Sequence, residues 1–278
     1  MDKNTKKTFT RPKITIFVAL NYKINSPMKK VFLLFILSFT IGSSFAQDEL
    51  PTVVPDRPGF TYGADVMPHR KIGWDNGFAF EWTKDAPMAF TLNSTILRYG
   101  LFENMELRVG TDFLMSRPDM ASETTFGIAP LSVGTKIKLF EGTGWLPSVG
   151  LLAELKSPHV GTKALLPSHL APALYALFEH TIGERFWLCY NAGLEWDGET
   201  PDPQTFLAFA FGFNMTENLG AFIESYNYLH SEENQFMTEF GLTWLVSRRV
   251  QLDIEADLDL KNLGNHFAIG CGVAWLIN

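Results

Sequence analysis

The chain has 278 residues, with 23 Lys and Arg against 30 Asp and Glu, 24 Phe, 7 Trp and 2 Cys, for a formal net charge of −7. With 46% hydrophobic and 19% charged residues it is too apolar for a disordered chain, while a mean hydropathy of +0.03 is too low for a bundle of membrane helices. Two cysteines exclude a disulfide framework and a multi-cysteine zinc site, and the acidic balance offers no electrostatic footprint for nucleic acid.

Residues 1–27 read as an upstream extension. Residues 28–46 read as a signal peptide: Met28, Lys29 and Lys30 precede the apolar run Val31 to Ile41, and Ser44, Phe45 and Ala46 supply the small-residue exit, with cleavage after Ala46. The run is too short to span a bilayer as a helix, which takes about 20 residues. Removing this segment takes eight basic residues and one acid with it, leaving a mature chain near −14. Residues 47–71 form a leader before the first strand. Two readings stand for it: a periplasmic tail, the commoner fate of such a segment, or a plug in which Asp56 and Arg57 meet charges on a barrel wall.

From Ile72 to the end the sequence repeats one pattern, alternating segments of about ten residues separated by turn signals, with no amphipathic helix of useful length. Strands are expected at Ile72–Trp82, Phe90–Tyr99, Met105–Met115, Leu131–Leu139, Val149–Leu155, Leu170–Glu179, Phe186–Trp196, Thr205–Phe213, Leu219–Tyr228, Phe236–Trp244, Val250–Leu260 and Phe267–Ile277. Val250–Leu260 is the clearest, setting Leu252, Ile254, Ala256 and Leu258 against Asp253, Glu255, Asp257 and Asp259. Leu170–Glu179 has the least certain phase, because Pro172 interrupts its ladder. The connections alternate. Leu101–Met105, Ile182–Phe186, Met215–Leu219 and Val246–Val250 are short polar turns, the last three recurring about every 31 to 33 residues, whereas Ser116–Pro130, Lys156–His169 and Asp197–Gln204 are long.

The resulting fold class is all-β, an antiparallel up-and-down transmembrane barrel of about 12 strands over residues 72–278. A soluble sandwich also alternates, but its strands commonly run about five or six residues, half of what is seen here. Aromatics at strand ends (Trp82, Tyr99, Phe186, Trp196, Trp244, Trp275) match interfacial girdles, and the export signal supplies the compartment, the outer membrane. Outer-membrane lipid and the barrel assembly machinery are then the expected partners.

Four segments carry a family resemblance: Asp56-Arg57-Pro58-Gly59-Phe60-Thr61, Leu97-Arg98-Tyr99-Gly100-Leu101, Asn104-Met105-Glu106-Leu107-Arg108 and Tyr190-Asn191-Ala192-Gly193-Leu194-Glu195-Trp196. From Asp56 onward the chain resembles the outer-membrane barrel family labelled "putative MetA pathway of phenol degradation". The resemblance implies a transporter-like barrel akin to fatty-acid transport barrels, and a small-molecule solute of hydrophobic or aromatic character.

If the apolar faces meet lipid, the charged residues of the other phase turn inward, because a carboxylate in hydrocarbon is costly. The expected lumen then carries Arg98, Arg108, Lys136, Lys138 and Lys156 together with Glu106, Asp112, Glu154, Glu195, Glu239, Asp253, Glu255, Asp257 and Asp259. These either line a selective conduit or pair into a structural network filling a narrow barrel. Trp187, Phe206, Phe222 and Tyr226, in the same phase, either line a path for an apolar solute or pack the interior. Cys189 and Cys271 fall in opposite phases, which disfavours a disulfide. The six histidines are scattered without a hydrolase or metalloprotease context, so no catalytic residue, metal ligand or cofactor is expected and the protein reads as a non-enzyme. Two alternatives to a channel stand: a closed structural or adhesion barrel with partner-binding loops, and a barrel-embedded lipid hydrolase.

Overall fold

The computed structural model describes residues 52–84, 88–117, 125–230, 234–259 and 264–277. The extension and signal segment of residues 1–46 lie outside them. Among the described residues there are thirteen strands: β1 (Ile72–Thr83), β2 (Met88–Phe102), β3 (Met105–Arg117), β4 (Thr125–Ile128), β5 (Ser132–Phe140), β6 (Ser148–Lys156), β7 (Ala171–Ile182), β8 (Phe186–Glu195), β9 (Gln204–Asn214), β10 (Leu219–Leu229), β11 (Asn234–Ser247), β12 (Val250–Asp259) and β13 (His266–Leu276). All pairings between them are antiparallel, and β1 pairs with both β2 and β13, so the sheet closes on itself. Closure satisfies the main-chain groups without leaving an edge, the condition for crossing hydrocarbon with strands.

Twelve staves build the wall. β4 pairs with Phe113–Ser116 of β3 and β5 with Met105–Gly110 of the same strand, so β4 and β5 share one edge end to end. β4 falls inside a segment expected to be loop, and four residues are too few to display an alternating pattern. The far edge of β4 is occupied by the loop between β6 and β7. Ile128 N donates to Thr162 Oγ1 at 2.8 Å and Thr162 N donates to the Ile128 carbonyl at 2.8 Å. A short 3-10 turn, Lys163–Leu165, completes that loop.

Alternation decides what faces where. On β12, Leu252 and Ile254 are exposed while Asp253 and Asp257 are buried. The same division sets Leu107 and Val109 outside and Glu106 and Arg108 inside on β3, and Leu207, Phe209 and Phe211 outside and Phe206, Ala208 and Ala210 inside on β9. β7 takes the phase that puts Ala171, Ala173, Tyr175 and Leu177 in the interior and Leu174 outside. Pro172 then sits second in its strand, opposite Leu155, where the lost donor costs one ladder bond at the end of the stave. The free Cys189 is buried and the free Cys271 exposed, on opposite sides of the wall.

At one end β2–β3, β7–β8, β9–β10 and β11–β12 are joined by the four short turns of the sequence pattern, and β5–β6 by Glu141–Pro147. The first of these turns is Glu103–Asn104, and Gly183 opens the second with φ +64°, a conformation that favours glycine. Exposed Tyr99, Phe186 and Trp244 mark the outer surface near this end, and Trp82 marks the end with the long loops.

Candidate functional site

The lumen of the short-turn half is filled by the leader. Val53 N donates to the Arg248 carbonyl and Arg70 N to the Gly100 carbonyl, both at 2.7 Å, so the segment enters and leaves at the short-turn end. Between these anchors its pairing with the sheet is a bridge at the exit, His69 with Gly100, and a buried main-chain N–H without an acceptor is costly. The wall supplies the acceptors. Gly59 N donates to Glu255 at 3.2 Å, Phe60 N and Thr61 N to the two oxygens of Glu224 at 2.8 and 3.0 Å, and Tyr62 N to Asn191 at 2.7 Å. Ala64 N donates to Glu179 at 2.9 Å and Met67 N to Glu106 at 2.6 Å. Residues 53–70 thus lie against inward-facing side chains of the barrel wall.

Two adjacent plug side chains carry the strongest contacts. The Asp56 carboxylate accepts from Lys136 Nζ at 2.6 Å and from Arg108 Nη1, and lies 3.5 Å from Arg98 Nε. Arg98 also makes a two-pronged contact with Glu106, at 2.9 and 2.8 Å, and lies 3.3 Å from Asp75. Burial alone would push the Asp56 carboxyl up, but attraction to Arg98, Lys136 and Arg108 more than reverses this and holds it well below the usual carboxylate range. Arg57 points the other way, onto Asp253 at 2.8 Å and Glu255 at 3.2 Å. Burial disfavours its charge, yet the bond to Asp253 and the charges of Glu255 and Asp253 raise its pKa above the ordinary arginine value. Its guanidinium occupies a slot between Gly77 of β1 and Gly272 of β13, where a side chain at either glycine would collide with it.

The remaining wall charges divide by height. Lys138 pairs with Asp65 of the plug at 2.7 Å, near the short-turn end. Arg108 lies 3.2 Å from Glu154. Asp257 accepts from Tyr226 Oη at 3.0 Å and lies 2.8 Å from His266 Nε2. Glu239 is buried opposite Glu224 in the β10–β11 register, and its Oε1 has no hydrogen-bond partner among the described residues. Asp112, Lys156, Glu195 and Asp259 stand toward the long-loop end, with Lys156 exposed and Glu195 accepting from Tyr175 Oη at 2.9 Å.

Above the plug lies a vestibule of about 470 Å³, floored by Asp56, Arg57, Gly59, Phe60 and Tyr62 and walled in part by Asp112, Glu154, Lys156 and Glu195. One side of it is aromatic. Phe60 stacks on Tyr226 with centroids 4.1 Å apart, and Tyr226, Tyr228, Phe206, Tyr175 and Tyr62 follow at successive separations of 6.2, 5.2, 5.7 and 5.7 Å. Two rings come from the plug and four from the wall, so this surface exists only with the plug in place. Phe222 and Trp187 also face inward, Trp187 over Gly212.

Several of these residues escape sequence reasoning. Asp75, Glu179, Asn191 and Glu224 are acceptors for the plug, and Phe60, Tyr62, Tyr175 and Tyr228 shape the vestibule. The available signal is phase, since Glu224 and Tyr228 share the inward face of β10 with Phe222 and Tyr226, which the sequence pattern already turns inward. Among the described residues no group of three or more His, Cys, Asp or Glu is arranged to hold a metal ion.

A closed antiparallel sheet with an apolar exterior and a charged, partly filled interior defines a β-barrel of the outer-membrane, transporter-like class. The family model described as "Putative MetA-pathway of phenol degradation" matches residues 55–277, and the chain belongs to that family. Two structures of the KdgM porin, one of them in complex with disordered oligogalacturonate, superpose with a TM-score of 0.52 at 9% identity, covering 73% of this chain and 99% of theirs. The transport unit of the autotransporter AIDA-I from Escherichia coli covers 90% of this chain and 98% of its own at 9% identity, with a TM-score of 0.42. At such identities the likeness to the porin is one of fold. No curated protein matches the sequence.

Proposed function

We propose that the protein is an outer-membrane channel that admits small hydrophobic or aromatic solutes from the long-loop side into the vestibule and releases them when the plug shifts. The observation that carries this reading is the vestibule itself: a cavity of about 470 Å³ with aromatic and charged walls, floored by a segment held through wall side chains. A filled structural barrel has no need of such a space. The signal-like residues 28–46 support export to the outer membrane, where lipid would surround the apolar face and the barrel assembly machinery would insert it. Single-channel recordings of the refolded protein test the reading, together with solute uptake by liposomes. Conductance and uptake above protein-free controls are expected, and steady absence of both would remove it.

One contact favours a second reading, a barrel-embedded lipid hydrolase. Thr83 Oγ1 lies 2.9 Å from His266 Nδ1, whose Nε2 lies 2.8 Å from Asp257, the connectivity of a nucleophile, a base and its orienting acid. Lipid release abolished by His266→Ala would support it, and release indifferent to that change would dismiss it.

A further inference from the structure

We infer that the vestibule selects organic cations: its preferred solute is a small molecule carrying both an aromatic or alkyl body and a fixed or protonated ammonium group. The inference rests on the channel reading above and narrows its solute class. Phe60, Tyr62, Tyr175, Phe206 and Tyr228 all border the cavity. Aromatic faces attract a cation within about 6 Å through their quadrupole, and such cages are the usual protein answer to ammonium ligands. The lumen already uses this chemistry, since the guanidinium carbon of Arg108 lies 5.2 Å from the Tyr62 ring centroid and Lys136 Nζ lies 6.0 Å from it.

Charge points the same way. Of the acids bordering the cavity, Asp56, Asp75, Glu154 and Glu255 each have a cationic partner in the plug or wall. Glu195 instead accepts from Tyr175 Oη and from the Gln204 amide, both neutral donors. Asp112 adds a further carboxylate, against which the upper cavity sets Lys156, an exposed residue at the end of β6. Deeper in, the wall of β10–β12 adds Glu224, which accepts from Phe60 N and Thr61 N, Asp253, paired with Arg57, and Asp257, beside His266. Fields from like charges lining a confined space add, so the potential along the path favours a positive solute and opposes a negative one.

Phenyltrimethylammonium and benzenesulfonate, similar in size and opposite in fixed charge, test this in liposomes holding the full mature protein, alongside the reversal potential in a KCl gradient. We expect the cation to enter about tenfold faster, the factor that corresponds to about 1.4 kcal/mol, with a reversal potential of the sign for K⁺ preference. The ratio should fall toward one in Asp112→Asn/Glu195→Gln and in Tyr228→Leu, each checked for folding by the gel shift on boiling. Benzenesulfonate entering as fast as the cation, or ratios in both variants equal to the parent's, would overturn the inference while leaving the channel intact. No conductance at all would instead strike at the channel reading.

Discussion

The wall built by β2, β3 and β5 and the wall built by β10, β11 and β12 stand about half a circuit apart in strand order and carry opposite surpluses. On the first, Arg98, Arg108 and Lys136 converge on Asp56, with side-chain exposures of 0 to 2%. On the second, Glu224, Glu239, Asp253, Glu255 and Asp257 line the inner face and Arg57 meets Asp253 and Glu255, a contact with Asp253 fully buried but 15% of the Arg57 side chain and 18% of Glu255 exposed. Two neighbouring residues thus bridge a transverse separation of charge. Asp56 is the carboxylate that all three dry cations touch, whereas water reaches Arg57 and Glu255 and screens part of what is left behind when that contact is cut, so the Asp56 contact should matter more.

Asp56→Lys should therefore have the largest effect. It sets a fourth cation against three buried ones that keep only Glu106, Asp75 and Glu154, and breaking such a cluster costs about 3–5 kcal/mol. The plug should leave the lumen, raising conductance several-fold and lowering the temperature of the heat-induced gel shift; unchanged conductance would break the comparison. Arg57→Ala should open the channel less, with a stability loss roughly half as great, since Glu255 keeps access to water even though Asp253 is buried. The Asp56 lock also has a pH signature. A carboxylate whose folded pKa is depressed contributes stability above its ordinary range, about 4, and loses it only as the pH falls through the depressed value. Plug closure should accordingly hold from neutral pH down through about pH 4, and opening at pH 5 to 6 would contradict the basic-wall geometry. Phe60→Ala should weaken closure least, by about 1 kcal/mol for the lost stack on Tyr226, with a small rise in open probability.

Much of the barrel is legible in the sequence because closure and alternation are local rules. The acidic stripe of β12 states its own phase, and the four short turns announce which ends of the staves lie together. What the pattern hides is non-local. Whether Asp56 and Arg57 belong to a tail or a plug depends on Arg98, Lys136 and Asp253, residues from distant strands that converge only once the sheet closes. Gly77 and Gly272 read as weak points in a strand, and their purpose appears only when the Arg57 guanidinium lies between them. β4 is too short to display a periodicity, whereas β10 is read as a strand with Phe222 and Tyr226 turned inward while Glu224, on the same face, stands out only once the leader lies against it. Thiol labels sharpen the phase that is legible: cysteines at Asp253 and Glu255 should differ in accessibility from those at Leu252 and Ile254.

The most direct test of a plug held between two charged walls is single-channel conductance of Asp56→Asn/Arg57→Gln beside the parent, both confirmed as folded by their shift on boiling. Removing both charges cuts both ionic attachments, Asn keeping the size of Asp56 and Gln remaining a polar but shorter side chain than Arg57. The account predicts a low parent conductance and a several-fold larger one in the double variant; equal conductances would contradict it.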